Sequence, residues 1–256
     1  MEYTVASVDE ALSLLVHVAS APGLGVTELA KRSGNTKARA FRLLTTLEAR
    51  GFVQRQGEEA TYQLGYKTLL IGMAAQEQVS LVRQAERFML QLGELFNENV
   101  QVRVRDGLNS VCVARWESTH DVRIFGAVGR LRPLHGGASG KVLLAHAPEA
   151  LRQAYLASEL QRFTDSTPVQ RSKLGQELAR VKQNDYATSA GEIAADVLAV
   201  AAPVRDGSGQ VIAALSISIP GTRAAPDDLE KYVPALREAA LALSVELGYS
   251  KMLGEG

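Results

Sequence analysis

The sequence predicts an α+β protein with an N-terminal winged helix-turn-helix, a linker helix and a C-terminal domain built on an antiparallel sheet. Two short segments with helical periodicity flank a Ser-Gly-Asn break at 33–35 and are followed by two strand patterns that end near residue 65. Residues 66–78 then form one apolar helical pattern. From residue 99 onwards, apolar strand patterns joined by turn residues indicate a sheet with helices around it.

Length and composition limit the class of protein. A chain of 256 residues is longer than most single domains, so one large or two unequal domains are expected. The net charge of zero argues against a globally basic nucleic-acid coat. The single cysteine, Cys112, excludes an intrachain disulfide, and its alternating surroundings predict a buried structural thiol. No signal peptide or apolar run of membrane-spanning length is recognisable, so a cytoplasmic protein is expected.

The segment VTELAKRSGNTKARAFRLLTTL predicts two helices joined by a tight turn. Thr27 is the expected N-cap of the first helix. Gly34 can supply the positive φ of the turn, and the second helix is expected to start near Thr36. Apolar residues recur at i, i+3, i+4 and i+7 in the second helix, which predicts a buried face made of Ala40, Leu43, Leu44 and Leu47.

The start of the second helix is the predicted DNA-reading surface. Seven basic residues between Lys31 and Arg55 accompany a single acid, Glu48. Such a cluster can also be a solvated helix face. Because the helix-turn-helix pattern surrounds the cluster, we expect it to enter a DNA major groove. The expected DNA contacts are Thr27, Thr36, Lys37, Ala38, Arg39 and Arg42 in the helices and Arg55 in the wing.

Segments on both sides complete the winged domain. After Gly51 ends the second helix, residues 52–56 and 61–65 form two strands with a turn around 57–60. Upstream, SVDEALSLLVHVAS is typical of a capped helix. Its expected buried stripe consists of Val8, Leu12, Leu15 and Val16.

The helical segment at 66–78, YKTLLIGMAAQEQ, is strongly apolar for a connector between domains. Two interpretations remain open for it: a core helix of the second domain, or a linker helix that buries its stripe against the same helix of a second copy. A further helix, SLVRQAERFMLQLGELFNE, follows. The apolar stripe of the segment at 66–78 consists of Leu69, Leu70, Ile71 and Met73.

The second domain is predicted to be an antiparallel sheet with helices at its ends and on one face. Two hairpins are expected, one through Asp106-Gly107 and one through the DGSG at 206–209. DVRIFGAV, residues 121–128, and the segment from Tyr186 to Glu192 are two further expected strands.

The stretch RPLHGGASGKVLLAHAP, residues 132–148, does not fit the phosphate-binding loop that its glycines suggest. The first glycine of that motif falls on His135, and Val142 replaces the metal-binding hydroxyl. What remains is a helix N-terminus behind small residues, which suits a small anion. Lys141 is expected to be a surface charge, because the helical offset turns it away from Ser139.

No catalytic site, metal site or cofactor is expected. Ser139 and Lys141 are two residues apart, so their side chains diverge by about 200° on a helix. A pair of Ser139 with His135 lacks the G-x-S-x-G elbow of a serine nucleophile. No metal-ligand spacing connects the four histidines, His17, His120, His135 and His146.

Three segments in register resemble the IclR family of bacterial transcriptional regulators: SVDEALSLL…TELAKRSG…FRLLTTLEARGFV…YQLG, then LRPLHGGASGKVLLA, then AAPVRDGSGQVIAALSISIPGTR. The resemblance implies a DNA-binding domain at 1–65, a linker and dimerisation helix at 66–78, an effector-binding domain related to the GAF sensor fold at 79–250, and a tail at 251–256. It also implies three partners: double-stranded operator DNA, a small-molecule effector, and further copies of the chain in a homodimer or homotetramer.

The resemblance places an effector pocket on four segments. Backbone N–H groups at the helix start would face the ligand, and Glu192 would be a lid or ligand contact. Ser216 and Ser218 are two apart on one strand, so they point to the same side, either into the pocket or to solvent. The expected effector-binding residues are Ile124, Leu134, Gly137, Ala138, Ser139, Gly140, Ser189, Glu192, Val197, Ala199, Ser216 and Ser218.

Departures from the family pattern bear on the ligand. Leu198-Ala199 stands where many members have Arg-Cys, and Asp196 stands where they often have Gly. The pocket is therefore expected to be roomier at Ala199, and a carboxylate is the expected ligand group. The expected function is that of a DNA-binding regulator controlled by a small carboxylic or aromatic acid. The alternatives are a ligand-independent architectural DNA-binding protein and a small-molecule enzyme.

Overall fold

The computed structural model describes residues 4–57, 60–78, 80–124 and 126–250. The described residues up to Gln78 form one compact unit, and those from Ser80 onwards form a second. Residues 58, 59 and 125 and the expected tail at 251–256 lie outside the described part of the chain. Within that part, no helix is both long and apolar enough to cross a membrane.

The first unit is a winged helix-turn-helix. The helices of the winged helix-turn-helix are α1 (Ala6–Ser20), α2 (Val26–Arg32) and α3 (Lys37–Ala49). Its strands β1 (Leu24–Gly25), β2 (Val53–Gln56) and β3 (Thr61–Leu64) form an antiparallel sheet in the order β1-β3-β2. The two helices and the wing expected between residues 27 and 65 are therefore present.

The N-cap of α3 is the residue expected from the sequence, whereas the N-cap of α2 is not. Thr36 is the N-cap of α3, and its hydroxyl oxygen accepts a hydrogen bond from the backbone N–H of Arg39 at 3.3 Å. The N-cap of α2 is Gly25, so Thr27 lies inside the helix and caps nothing. The expectation failed there because the strand β1 ends at Gly25, which leaves the next residue, Val26, free to begin the helix.

The buried face of α1 differs from the expected stripe. Leu14 and Val18 are buried in the core with Leu29 and Leu44, whereas Val8, Leu12 and Val16 are each more than half exposed, so the prediction for those three was wrong. The helix carries two apolar stripes about 200° apart. Packing against α3 and β3 selects one stripe, which the periodicity of an isolated segment does not reveal.

The linker helix α4 (Tyr66–Gln78) belongs to the first unit. Leu69, Leu70, Ile71 and Met73 are each more than half exposed. An apolar stripe that is open to solvent is not part of the core of one chain, so the first of the two interpretations of this segment was wrong.

A six-stranded antiparallel sheet forms the centre of the second unit, in the order β6-β5-β4-β9-β8-β7. The strands are β4 (Asn99–Asp106), β5 (Asn109–Trp116), β6 (Leu131–Pro133), β7 (Ala187–Ala190), β8 (Val197–Arg205) and β9 (Val211–Pro220). The helices are α5 (Ser80–Phe96), α6 (Ala138–Ala145), α7 (Glu149–Ala157), α8 (Arg171–Asn184), a 3-10 turn (Pro226–Tyr232) and α9 (Val233–Glu246).

Helices cover both faces of this sheet, where the sequence predicted only one. Leu198 and Val200 of β8 pack in a core with α5 and α9, while Ala199 and Ala201 pack in a separate core with α6 and α8. Because successive residues of a strand point to opposite faces, the two cores lie on opposite sides of the sheet. β8 is apolar on both faces, as expected of a strand that is covered twice.

The segment DVRIFGAV is not a strand, in contrast to the prediction. Residues 121–124 and 126–128 have no strand geometry, and residue 125 lies outside the described part of the chain. The short strand β6 pairs with β5 instead. The side chain of Asn99 donates a hydrogen bond to the carbonyl of Ile124, so this segment is held by a side chain rather than by a strand ladder.

Candidate functional site

The first candidate surface is the exposed start of α3. Lys37, Ala38, Arg39 and Arg42 are all exposed, and Thr36 precedes them. Thr27 is exposed on α2 and Arg55 is exposed on β2 of the wing. The helix-turn-helix thus presents every residue that the sequence assigned to DNA contact.

Two of these arginines are engaged by acids of the same unit. Arg39 forms an ion pair with Glu10 of α1, and Arg55 forms one with Glu48 at 2.8 Å. Arg42 has no acidic partner among the described residues. Exposed ion pairs contribute little to stability, so a phosphate can replace either acid at small cost.

A cavity in the second unit lies between the start of α6 and the sheet. Its volume, measured as the space open to the centres of water-sized spheres, is about 50 Å³, which is enough for several water molecules. Its lining comes from the six strands of the sheet, the start of α6, and the connecting segments before β6, before α6 and after β7. The residues are Gln101, Arg103, Ser110, Ile124, Arg132, Gly136, Gly137, Ala138, Ser139, Gly140, Ser189, Glu192, Ile193, Val197, Ala199, Ser216 and Ser218.

The start of α6 supplies backbone donors to this cavity. Gly137 is the N-cap with φ +81°, and the N–H groups of Ala138, Ser139 and Gly140 have no hydrogen-bond acceptor among the described residues. Such groups attract an anion. A Cβ at Gly140 would lie 2.7 Å from the carbonyl oxygen of Leu134, so this glycine allows the helix to pack closely on the preceding chain.

Glu192 and Lys141 form a buried ion pair beside the helix start. The Glu192 carboxylate accepts a hydrogen bond from the Gly137 N–H at 2.8 Å and another from the Lys141 ammonium at 2.5 Å. The ammonium also donates to Glu177 at 3.1 Å. Burial raises the pKa of Glu192, and Lys141 opposes that shift. The expectation that Lys141 is a surface charge was wrong, because its partners lie on α8 and after β7.

The serines of β9 face the cavity. Ser216 is buried and donates to the carbonyl of Gln101 at 3.3 Å, and Ser218 is half-buried beside it. Since both line the cavity, the alternative of a solvent-facing pair was wrong. Val197 and Ala199 of β8 and Ser189 of β7 complete this wall.

Leu134 is the one expected pocket residue that does not line the cavity. Its side chain is fully buried in the core with α6 and α8. Its backbone N–H donates to the Tyr155 hydroxyl at 2.9 Å, so the prediction that Leu134 lines the pocket was wrong.

Sequence reasoning missed the charged end of the cavity. Arg103 of β4 is only 4% exposed, and Arg132 of β6 is half-buried. Burial lowers the pKa of Arg103 to about 10 and also lowers the pKa of Arg132. The sequence signal for this charged end was the alternation of Gln101, Arg103 and Arg105 with valines in β4. That pattern was compatible with an ordinary solvent-facing side of a strand.

Neither His135 nor Cys112 is placed to act in catalysis at this cavity. The ring nitrogens of His135 are engaged, with Nδ1 2.8 Å from the Tyr155 hydroxyl and Nε2 2.9 Å from the carbonyl of Gln161. Cys112 is buried, and burial raises the pKa of its thiol, which disfavours the reactive thiolate. Among the described residues, no cluster of three His, Cys, Asp or Glu side chains could hold a metal ion.

A winged helix-turn-helix with an exposed basic helix, joined to a separate unit with a polar cavity, defines a DNA-binding regulator that senses a small molecule. Comparison with known families agrees. The family model for the bacterial transcriptional regulator IclR C-terminal region matches residues 73–245, and the model for the IclR helix-turn-helix domain matches residues 7–57. The chain therefore belongs to the IclR family of bacterial transcriptional regulators.

Named relatives support the same assignment. The chain is 32% identical over 247 residues to the HTH-type transcriptional regulator KdgR of Escherichia coli (strain K12), covering 96% of this chain and 94% of that protein. It is 31% identical over 240 residues to the HTH-type transcriptional regulator KipR of Bacillus subtilis (strain 168), covering 93% and 94%. These relatives are transcriptional regulators, so the protein is a regulator and not an enzyme.

Solved structures share the fold. An IclR transcriptional regulator from Alicyclobacillus acidocaldarius has a TM-score of 0.86 and 26% identity, covering 96% of this chain and 100% of that one. An IclR homolog from Microbacterium hydrocarbonoxydans, crystallised with 4-hydroxybenzoate, has a TM-score of 0.81 and 24% identity, covering 94% and 98%.

Proposed function

We propose that the protein binds an operator as a dimer or tetramer and that a small organic acid controls this binding. The cavity at the start of α6 carries this proposal, because it is lined both by three backbone donors without an acceptor among the described residues and by two serines. A ligand-independent architectural protein would need a solidly packed second unit, and the cavity argues against that alternative. The free volume favours a compact acid over a large one.

The start of α3 is the proposed reader of the operator. Arg42 is the strongest candidate for a base contact, since no described acid holds its guanidinium. Replacing Arg42 by Ala should weaken operator binding by about 1 to 3 kcal/mol and relax the preference at one base pair. Arg39→Ala should act on phosphate contacts, so its loss should be even across sequences, with a smaller salt dependence.

The experiment uses DNA selected from random sequence by the wild-type protein, followed by titration of each variant at two salt concentrations. Arg162→Ala, an exposed arginine of the second unit, is the matched control. Wild-type binding by both the Arg42→Ala and the Arg39→Ala protein would refute the assignment of α3 as reader.

The proposed effector site uses both sides of the cavity. The N–H groups of Ala138, Ser139 and Gly140 would receive a ligand carboxylate, and Ser216 and Ser218 would bind the other polar end. The effector would shift the equilibrium between operator-binding and non-binding states by its difference in affinity for them.

Exchange of both serines for alanine tests this site. Ser216→Ala with Ser218→Ala should abolish the response to an acid found in a thermal-shift screen, while operator affinity without ligand stays within about twofold. Ser172→Ala, on the exposed side of α8, is the control. A double variant that still responds normally would refute the proposed site.

The stripe on α4 is the proposed dimer seam. Four large apolar side chains exposed on one helix are unusual for a chain that remains monomeric. Leu70→Glu would place a charge in the seam and should yield monomers in light scattering. Leu108→Glu changes a similarly exposed leucine in the turn between β4 and β5 and should leave the oligomer intact. An unchanged oligomer in the Leu70→Glu protein would rule out this seam.

A further inference from the structure

Two arginines at one end of the cavity carry positive charge that no described acid neutralises. The guanidinium of Arg103 donates from Nε to the Ser110 hydroxyl at 3.1 Å and from Nη2 to the carbonyls of Ser110 and Arg130, both at 2.8 Å. All three acceptors are uncharged. Nη1 has no acceptor among the described residues, and the guanidinium of Arg132 makes no ion pair with them.

The lining residues of the cavity carry a surplus of about one positive charge, from Arg103 and Arg132 against Glu192. Glu192 is the only acid among the described lining residues, and the Lys141 ammonium lies between its carboxylate, at 2.5 Å, and that of Glu177, at 3.1 Å. Arg103 and Arg132 therefore face the cavity without a counter-charge. Burial of a charge is unfavourable unless an opposite charge is paired with it, so an anionic group beside these two guanidinium groups would be stabilising.

We propose that the effector is a compact dianion, with one anionic group at the start of α6 and a second one held by Arg103 and Arg132. This inference rests on the proposed function, in which the cavity binds an acid. A planar guanidinium offers two parallel N–H groups to a carboxylate, and a second guanidinium beside it strengthens the preference for negative charge. The effector class is thus a short dicarboxylate rather than a monocarboxylate of the same length.

A purely structural role does not account for Arg103. The bonds to the carbonyls of Ser110 and Arg130 fasten the β4–β5 hairpin to the segment before β6, and uncharged donors could do the same. A structural role also gives no reason for Arg132 to face the same cavity. Both observations follow if the pair is kept free for an anion.

The test is calorimetric titration of the full-length protein with matched acids. Malonate, succinate and glutarate form the dianion series, and propionate, butyrate and pentanoate have the same chain lengths with one charge. At least one diacid should bind about tenfold or more tightly than its partner, since charge-assisted hydrogen bonds are the stronger kind. Higher salt should weaken the diacid more than the monoacid.

Arg132→Gln is the decisive variant, because it removes one charge without breaking a hydrogen bond of the guanidinium to a described residue. It should bring diacid and monoacid affinities within about threefold of each other, and Arg103→Gln should do the same if its melting temperature is preserved. Arg105→Gln, on the same strand but exposed, should leave the preference intact.

The outcomes separate the two proposals. If monoacids bind as tightly as diacids, or if Arg132→Gln leaves the preference unchanged, the dianion inference fails and the acid-binding function stands. If neither series binds but 4-hydroxybenzoate does, the same conclusion follows. If none of these acids binds, both the dianion inference and the proposed acid effector are overturned.

Discussion

Replacing Lys141 by Met should destabilise the second unit strongly. The Lys141 side chain is 5% exposed, and the Glu192 carboxylate beside it is 10% exposed. Without the ammonium, Glu192 keeps only the Gly137 N–H as a donor. Removing one partner of a buried ion pair costs about 3 to 5 kcal/mol. We expect about 3 kcal/mol here, since the carboxylate borders a cavity that admits water and can also take up a proton.

Trp116 provides the assay. It is the only tryptophan of the chain and ends β5, so its fluorescence reports the unfolding of the second unit. With a urea dependence of about 2 to 3 kcal/mol per molar, a loss of 3 kcal/mol lowers the urea midpoint by about 1 M or more. A change below about 0.2 M would show that Lys141 is a solvated surface charge and would refute the buried pair.

A second substitution and a pH series isolate the cause. Lys141→Met with Glu192→Gln should regain much of the stability, because no buried charge is then left without a partner. Burial raises the pKa of Glu192 in the folded state. Because the pKa of this carboxyl is higher in the folded than in the unfolded state, its protonation stabilises the folded state at pH values below the unfolded-state pKa. That stabilisation is lost as pH rises through the folded-state pKa. The deficit of the Lys141→Met protein should therefore shrink as pH falls.

Two further predictions concern single residues. Thr36→Ala removes the N-cap of α3 and should lower the stability of that helix by about 1 kcal/mol. Hydrogen exchange of the α3 amides in the full chain should then show about fivefold faster opening. Thr45→Ala, which removes a hydroxyl that donates to the Phe41 carbonyl within α3, should lower the stability little, and equal effects of the two variants would contradict the cap. Burial lowers the pKa of His146 to about 4, so its neutral form contributes stability above pH 6.5 that is lost as pH falls towards 4. His146→Leu should reduce the loss of stability between pH 7 and 4.5, measured from urea midpoints, by about 2 kcal/mol, and an unchanged pH dependence would contradict that role.

The winged unit follows closely from local sequence signals. Thr36 caps its helix, and Gly51 and the wing strands lie where turn residues and alternation place them. The buried stripe of α1 was predicted on the wrong face, because a helix with two apolar faces gives no local sign of which one its neighbours cover. Only the packing against α3 and β3 decides between Leu14 and Leu12.

The cavity shows where local reasoning ends. The helix start was identified from its small residues and the rest of the pocket from resemblance to a family, and all twelve expected residues but Leu134 line it. Lys141 was misjudged because its partner Glu192 is 51 residues away in the chain. Arg103 was overlooked because the sheet was expected to be covered on one face, which left the polar side of β4 to solvent.

Successive side chains of β8 and β9 point to opposite faces of the sheet. Residues at which substitution would alter ligand specificity therefore alternate with residues that are needed for stability. Leu198, Val200 and Ile217 point into the large core with α5 and α9, where truncation leaves a void and costs several kcal/mol. Ala199 and Ser216, one residue away, border the cavity, where a new side chain meets open space before it meets packed atoms. Under the proposed function, a lineage can therefore change its effector by single substitutions at the cavity-lining positions Val197, Ala199, Ser216 and Ser218. The residues between them preserve the fold through the change.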